Sequence, residues 1–375
     1  MDIPDKTLEK CGADSFVMFA TSDAADMRYL TRFTSTDPIV YFKKKGQRGV
    51  IVVSQMEFER ASRESDTAVM TRADAGLLDI IKEEKDKWKA LALMISGLAG
   101  NKILVPAWFP IALGRELEHY GRVISDKGTI EGMRAKKSPY ELESIRMVQQ
   151  ATERAMEVAV ALIQKSKPRK GVLHKGRTPL TSECIRAEMH KVLLEYGCRA
   201  SDTIVSCGKD SAIPHIRGTG PLQEGEPIVI DIFPKDENSG YYSDMSRTIC
   251  KGEPSSDIAD MYVAVRDAQT MASKKIKPGI TGADVHQSVV DFFSDHGYQS
   301  GKEGFIHNLG HGVGLEVHEL PNVGPGGLAL SAGNVITNEP GLYFRDRGGV
   351  RLENIGVVTK NGFECFTRFP YDFVV

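Results

Sequence analysis

Two acidic residues stand in segments that otherwise have the pattern of apolar β-strands. Asp231 lies in IVIDIF, and Asp244 lies in YYSDMSRTI, which is predicted to pair with it. Side chains directly opposite each other in a strand pair are about 4.5–5.5 Å apart. At that distance in an apolar site, two carboxyl groups cannot both ionise unless a cation neutralises them. The sequence therefore predicts a shared proton or a divalent-metal site.

A second pair of acids repeats this arrangement further along the chain. Glu339 lies in VITNEPGLYF and Glu353 in GGVRLENIGVV, and the separation of this pair is close to that of the first. One alternative is that the acids are exposed at sheet edges, where charges prevent aggregation. Matching positions in the two halves of a repeat argue against this alternative. Four buried acids that face one another are intelligible around divalent ions.

The loop between the first two acids has a superficial likeness to a calcium loop. An EF-hand needs Gly at position six and Glu at position twelve, between two helices. Counted from Asp231, these positions hold Asp236 and Tyr242, and the flanking segments have strand patterns. The calcium loop is therefore excluded, and Asp236 and Glu237 are predicted to be solvated turn residues.

Four histidines lie in segments rich in Gly and Pro, where functional residues tend to collect. His215 is in SAIPHIRG, and His307, His311 and His318 are in HNLGHGVGLEVHE. Imidazole beside carboxylates is a normal ligand set for first-row metals. A lone histidine in such a segment is more often structural than a metal ligand. The segment GHGVGL lacks the spacing of a phosphate-binding loop, so it gives little support to nucleotide binding.

The elements that would position these residues form two repeated halves after a separate first domain. Ser138 and Glu141 predict a capping box at the start of a helix of about seven turns. This helix begins the first of two helix pairs, which end at Gly197 and Gly297, and each pair leads into strands that carry two acids. Before residue 135, short apolar runs alternate with helical patterns, which predicts a small mixed α/β domain.

Composition excludes several classes of protein. The net charge of −2 gives no reason to expect nucleic acid or acidic membranes as partners. The longest apolar run, ALALMISGLAG, is too short to span a bilayer, and the charged start lacks the pattern of a signal peptide. Six cysteines without CxxC spacing do not predict a disulfide framework. A reducing, cytoplasmic location is the expectation.

These motifs resemble those of a known family. From about residue 136 to the end, the chain is similar to the pita-bread metallopeptidases, which include methionine aminopeptidase, aminopeptidase P and prolidase. RYLTRFTS and MRAKKSPYELESIR resemble the preceding domain of aminopeptidase P, prolidase and creatinase. The resemblance implies an α+β protein. A creatinase/prolidase-type N-terminal α/β domain would occupy residues 1–135, and duplicated αβ halves around a curved antiparallel sheet would occupy 136–375.

The resemblance also implies a site with two divalent metal ions, of which manganese or cobalt is favoured and zinc and iron are alternatives. Its ligands would be Asp231, Asp244, His311, Glu339 and Glu353, with Asp231 and Glu353 bridging the ions. Glu339 would also transfer the nucleophile's proton. His318 and Arg351 would stabilise the oxyanion, and His215 and His307 would position the substrate.

The implied activity is hydrolysis of the Xaa-Pro bond at the N-terminus of dipeptides or short peptides, by a homodimer as in the family. Aminopeptidase P, acting on longer Xaa-Pro peptides, is the main alternative. Another metal hydrolase and a non-enzymatic binding protein are weaker ones, since the ligand set is intact. Two departures bear on specificity. The first two acids are 13 positions apart where the family usually has eleven, and Asn322 stands where some prolidases have Arg. The longer hairpin is expected to alter substrate access rather than the metals.

Overall fold

A computed structural model describes residues 2–375 of the chain. It contains two compact units, of which the first ends at Arg134 and the second spans Ala135–Val375. Residues 2–375 contain no helix that combines the length and the apolar character needed to cross a membrane.

The first unit is built on a six-stranded mixed sheet. Its strands are β1 (Ser15–Ala20), β2 (Ile39–Lys44), β3 (Val50–Val53), β4 (Ala68–Thr71), β5 (Lys102–Val105) and β6 (Arg122–Ser125). They lie in the order β4-β3-β2-β1-β5-β6. β2 pairs antiparallel with both of its neighbours, and the other three pairings are parallel.

Seven short helices flank this sheet, together with a single turn of 3₁₀ helix at Gln55–Glu57. They are α1 (Asp5–Cys11), α2 (Ala25–Thr31), α3 (Phe58–Glu64), α4 (Leu77–Glu83), α5 (Lys87–Ala99), α6 (Ile111–Leu117) and α7 (Thr129–Arg134). The core between sheet and helices includes Val17, Val40, Ile95 and Leu113. The mixed α/β architecture predicted for this part of the chain is confirmed.

The second unit contains two helix pairs, as predicted. They are α8 (Pro139–Lys165) with α9 (Ser182–Glu195), and α10 (Ser256–Lys275) with α11 (Gly282–Asp295). The capping box is present at α8, since Ser138 accepts from the amide of Glu141 and the Glu141 carboxylate accepts from the amide of Ser138. Gly197 and Gly297, which follow the second helix of each pair, have φ of 69° and 80°, a conformation that favours glycine.

The second unit also contains strands, which are joined by turns and loops. They are β7 (Lys167–Arg169), β8 (Val172–Lys175), β9 (Thr178–Pro179), β10 (Cys198–Arg199), β11 (Ile204–Cys207), β12 (Pro227–Ile232), β13 (Lys235–Asp236), β14 (Met245–Cys250), β15 (Gly310–Gly312), β16 (Glu319–Val323), β17 (Val335–Asn338), β18 (Gly341–Phe344), β19 (Gly348–Arg351), β20 (Asn354–Thr359) and β21 (Gly362–Cys365). A 3₁₀ helix, Gly208–Ala212, follows β11.

The two helix pairs pack on two principal antiparallel sheets. The first half has the order β11-β12-β14, and the second has the order β16-β15-β17-β20-β21. Each half has its own apolar core. Ala155, Met189 and Ile230 belong to the first core, and Ala268, Val289 and Ile336 belong to the second. The predicted duplication therefore appears as two helix-on-sheet layers.

The pairing of Asp231 with Asp244 differs from the prediction by two residues. Asp231 lies opposite Ser246, and Asp244 precedes β14. Because side chains of a strand alternate between faces, Asp244 still shares a face with Ser246. The carboxylates are therefore diagonal neighbours rather than directly opposed.

The loop between these two acids is attached to the rest of the unit rather than free. β13 pairs with β10, and the amide of Tyr242 donates to the carbonyl of Gly314. Asp236 is only half-exposed, and its carboxylate accepts from the amide of Ser239, whereas Glu237 is exposed. The prediction of a solvated turn residue is therefore confirmed for Glu237 and wrong for Asp236, which lies in β13 and pairs with Cys198 of β10.

Arg247 is a buried cation that connects β14 to the C-terminal tail, and only 1% of it is exposed. Its guanidinium donates five hydrogen bonds. The acceptors are the carbonyl oxygens of Ser246, Glu353, Phe369 and Pro370 and Oδ1 of Asn354. Burial lowers the pKa of Arg247 from its usual value. The network fixes the backbone at Glu353, one of the clustered acids.

We expect Arg247→Met to lower the free energy of unfolding by about 2–4 kcal/mol, because several buried carbonyl groups lose their donor. Urea denaturation measures this. The matched control is Arg266→Met, since Arg266 is exposed and pairs with its neighbour Asp267. Equal stability of the two variants would contradict a structural role for the Arg247 network.

Candidate active site

The five predicted metal ligands come from both halves of the second unit. Asp231 lies in β12 and His311 in β15, whereas Asp244, Glu339 and Glu353 lie immediately beside strand ends. The halves are joined at this point, because the amide of Glu353 donates to the carbonyl of Ser246 at 3.0 Å. The repeat therefore brings acids from distant parts of the sequence to one place.

The distances within this cluster suit a bound cation. Asp244, His311 and Glu353 each offer one ligand atom, and these three atoms lie within 4.8 Å of one another. Nε2 of His311 is 3.1 Å from Oε1 of Glu339 and 3.7 Å from Oδ2 of Asp244. Nδ1 of His311 is 3.1 Å from the carbonyl of Gly312, which aims Nε2 at the acids.

Crowding of negative charge shifts the protonation of the cluster. Burial, followed by the charge of Asp231, raises the pKa of Asp244 well above its usual value. Burial and the charges of Asp244, Glu339 and Asp231 do the same to the pKa of Glu353. Burial would lower the pKa of His311, but the hydrogen bond and charge of Glu339 raise it to about 9. The cluster thus attracts positive charge strongly.

A further observation shows that these residues fit divalent metal ions. Oδ1 of Asp231 is buried and has no hydrogen-bond partner among residues 2–375. A buried carboxylate oxygen without a donor is costly unless a cation approaches it. Carboxylate oxygens with one imidazole form an all-O/N donor set, which suits divalent first-row metals. The residues that could hold such ions are Asp231, Asp244, His311, Glu339 and Glu353.

Arg351 is buried against the cluster and fully engaged. One terminal nitrogen donates to Oδ2 of Asp231 at 2.7 Å, and the other donates to the hydroxyl of Tyr343 at 3.0 Å. Its Nε donates to Oγ of Ser246, and that hydroxyl donates to Oε2 of Glu353. Arg351 therefore orients Asp231 and Ser246. Because its guanidinium nitrogens already have acceptors, direct contact with an oxyanion is not its main role.

Tyr343 connects Arg351 to His307 through hydrogen bonds. Nδ1 of His307 donates to the carbonyl of Asn308, so Nε2 is left to accept from the Tyr343 hydroxyl at 3.0 Å. Burial raises the pKa of Tyr343 to about 12, so the phenol stays protonated near neutral pH. Burial also lowers the pKa of His307, which favours the neutral ring. Both nitrogens of His307 are thus occupied. The ring can therefore pack against a ligand through its face but has no free N–H group to donate.

His318 and His215 lie beside the acid cluster. The rings of His318 and His311 are 4.2 Å apart between centroids. The carbonyl of Pro214, the residue before His215, accepts from a terminal nitrogen of Arg351 at 3.4 Å, so His215 adjoins the same cluster. His318 and His215 are exposed, so both can meet a small molecule. All nine predicted site residues therefore fall in one region.

Sequence reasoning missed Ser246 and Tyr343. Ser246 stands two residues after Asp244 in an apparent strand, so the period of two could have placed it on the same face. Tyr343 has no such signal, because an aromatic residue in GLYF is typical of an ordinary buried strand. Its role follows only from its contacts with Arg351 and His307.

Fold and site together indicate a metal-binding protein, and comparisons with known proteins give its family. Residues 143–360 match metallopeptidase family M24, and residues 5–103 match the creatinase/prolidase N-terminal domain. An Xaa-Pro dipeptidase of Pyrococcus horikoshii is 30% identical over 342 residues, which cover 89% of this chain and 88% of the relative. The chain belongs to metallopeptidase family M24.

Solved structures confirm the predicted fold class. A prolidase from Pyrococcus horikoshii matches with a TM-score of 0.81 and 26% identity, covering 98% of this chain and 97% of that one. An X-Pro aminopeptidase from Thermotoga maritima matches with a TM-score of 0.81 and 26% identity, covering 99% of this chain and 100% of that one. The protein is therefore a metallo-exopeptidase with the pita-bread fold, and its family implies divalent metal ions.

Asp244→Asn provides a test of the cluster by two measurements. In the metal-free protein we expect no loss of stability, because the substitution removes one of several crowded carboxylates. Manganese at about 100 times its Kd should stabilise the unsubstituted protein by about 2.7 kcal/mol and should stabilise the variant far less. Thermal denaturation and elemental analysis measure both effects.

The matched control is Asp295→Asn, because Asp295 is exposed at the end of α11. This control should respond to manganese as the unsubstituted protein does. Full metal uptake by Asp244→Asn would contradict the placement of a metal ion at this cluster.

Proposed function

We propose that this protein is a dinuclear-metal-dependent peptidase that hydrolyses the Xaa-Pro bond at the N-terminus of dipeptides or short peptides. The observation that carries the proposal is the cluster of four acids and His311, whose atoms gather where a cation would fit. The 30% identity to an Xaa-Pro dipeptidase over 89% of the chain supports the substrate class.

Five residues would hold the two ions. They are the carboxylates of Asp231, Asp244, Glu339 and Glu353 and the imidazole of His311. Bound divalent ions supply Lewis acidity, which polarises a carbonyl group and lowers the pKa of water. Manganese or cobalt is the favoured metal, and zinc and iron are alternatives, because an O/N donor set does not select among them.

Glu339 is the proposed acid–base residue. Its carboxylate lies 3.1 Å from Nε2 of His311 and also accepts from the hydroxyl of Thr337. Although burial opposes it, the hydrogen bond from His311 holds the pKa of Glu339 below its usual value, so the carboxylate is ionised near neutral pH. It would take the proton of the attacking water and deliver it to the leaving nitrogen of proline.

His318 is the proposed donor to the oxyanion that develops on the scissile carbonyl. It is exposed and packs on His311, so its ring can reach a substrate bound at the cluster. Stabilisation of developing negative charge is commonly the largest electrostatic contribution to such reactions. Arg351 would add positive charge from behind Asp231 and would act mainly by holding that carboxylate.

His215 and His307 would position the substrate around its proline. His307 has both ring nitrogens occupied by Asn308 and Tyr343, so it would offer an apolar ring face. His215 is exposed and would remain free to donate to a substrate carbonyl. Packing from one histidine and hydrogen bonding from the other would favour an Xaa-Pro unit.

Asn322 bears on the choice between dipeptides and longer peptides. Its amide accepts from Asn308 and donates to the carbonyl of Pro325, so no cation stands at this position. A site with less positive charge would bind the free carboxylate of a dipeptide more weakly. Asn322 therefore favours the alternative, aminopeptidase P activity on longer peptides. Dipeptidase activity stays the first proposal because of the similarity to an Xaa-Pro dipeptidase over 89% of the chain.

Three further features complete the proposal. The unit that ends at Arg134 would be the creatinase/prolidase-type domain, and residues 135–375 would be the catalytic domain. The protein would act as a homodimer without nucleic-acid or membrane partners. All six cysteines are free thiols, which supports a reducing, cytoplasmic location.

An assay on three substrates tests the proposal. Manganese-loaded and cobalt-loaded protein is given an Xaa-Pro dipeptide, an Xaa-Pro-Yaa tripeptide and a Met-Ala-Yaa peptide. We expect kcat/KM for the dipeptide to exceed that for the tripeptide by about tenfold, equivalent to about 1.4 kcal/mol. Asp244→Asn is the inactive control.

A reversed preference would establish the aminopeptidase P alternative. Cleavage of Met-Ala-Yaa, or of none of the three substrates, would contradict Xaa-Pro specificity.

A further inference from the structure

A buried ion pair lies outside the proposed catalytic set. Nζ of Lys137 contacts Oε1 of Glu319, and the side chains of these residues are 0% and 5% exposed. Replacing a buried ion pair by apolar residues is often neutral or stabilising, so stability alone does not explain its presence. The two residues are 182 positions apart, so the pair fixes one segment relative to another.

Glu319 is adjacent to His318 and packs against the loop that joins His311 to His318. It is the next residue in the chain and begins β16, where it pairs with Gly312 of β15. Its carboxylate lies against Gly314, at which a Cβ atom would stand 2.3 Å from Oε1 of Glu319. The loop that joins His311 to His318 is therefore packed directly on this carboxylate.

The backbone around Lys137 is fixed by hydrogen bonds to a neighbouring turn. Its amide donates to the carbonyl of Gly333 at 2.9 Å, and the side chain of Asn334 donates to the carbonyl of Ala135 at 2.8 Å. These contacts fasten the lysine's backbone to the turn before β17, which leads to Glu339. The backbone of Lys137 is therefore fixed, and this restricts where its ammonium group can contact Glu319.

The same segment also contacts the other half of the site. Oε1 of Glu141, the capping-box residue of α8, accepts from the hydroxyl of Tyr241 at 2.9 Å. Tyr241 is three residues before Asp244. The segment from Lys137 to Glu141 therefore contacts Glu319, which is next to His318, and Tyr241, which is close to Asp244.

We propose that Lys137 is a positioning residue for the oxyanion-stabilising imidazole, and that it acts through Glu319 on His318. The ion pair fixes the first residue of β16 and thereby sets where the His318 ring stands relative to His311. The inference rests on the proposed function for the role of His318, but the placement of that ring can be measured without substrate.

Lys137→Met tests the proposal in the metal-loaded enzyme. A displacement of about 1 Å at a catalytic group can cost about 100-fold in rate, so we expect kcat to fall 10- to 100-fold. KM should change less than about threefold, and metal content should not change. Lys137→Arg keeps the charge and should recover most of kcat. Lys136→Met, at the adjacent exposed lysine, is the matched control and should retain full activity.

A double-mutant cycle with His318→Ala separates positioning from general destabilisation. If Lys137 acts only through His318, Lys137→Met should cause no further loss of kcat in the His318→Ala protein. An equal loss in both backgrounds would overturn the proposal. If Lys137→Met alone does not fold, Lys137→Met/Glu319→Gln removes both charges and takes its place in the cycle. Recovery of full kcat in that variant would also overturn the proposal.

A readout without substrate keeps this inference distinct from the proposed activity. In the metal-free protein, the ring resonance of His318, assigned by its loss in His318→Ala, should shift in Lys137→Met and not in Lys136→Met. An unchanged resonance would overturn the proposal even if the enzyme is active. A shifted resonance supports it even if no Xaa-Pro peptide is cleaved.

Discussion

The constraint on which the site depends is the cost of holding like charges together away from water. Asp231, Asp244, Glu339 and Glu353 cannot all stay ionised in one buried cluster without a compensating cation. Without an added ion, the cluster raises the pKa of Asp244 and Glu353 and favours a proton on His311. Each of these shifts draws positive charge to the same place, which is the property that a metal-binding site requires.

Much of the surrounding structure keeps these acids in place. Arg351 and Ser246 contact the carboxylates directly, and Arg247 holds the backbone of Glu353 from the other side. Tyr343 links Arg351 to His307, so a change at Arg351 reaches a histidine that is proposed to position the substrate. The ion pair of Lys137 with Glu319 adds a comparable support for His318. Acids, supporting cations and histidines therefore form one connected polar network.

The parts that could be predicted from the sequence are those with a local signal. The capping box at Ser138, the helix pairs ended by glycines and the repeated acids all follow from short-range patterns, and the structure contains each of them. Register could not be derived in this way, and Asp231 faces Ser246 rather than Asp244 because strand pairing is set by the whole sheet. The roles of Tyr343 and Lys137 could not be predicted either, because they depend on contacts that no local sequence pattern indicates.

The central claim is that four carboxylates and one imidazole hold two divalent ions. Anomalous diffraction from crystals of the manganese-loaded protein tests it most directly, because the signal locates the metal without reference to activity. The account predicts two peaks in the anomalous difference map, both enclosed by Asp231, Asp244, His311, Glu339 and Glu353. A fully loaded protein whose manganese peaks lie elsewhere, or a single peak within the cluster, would contradict it.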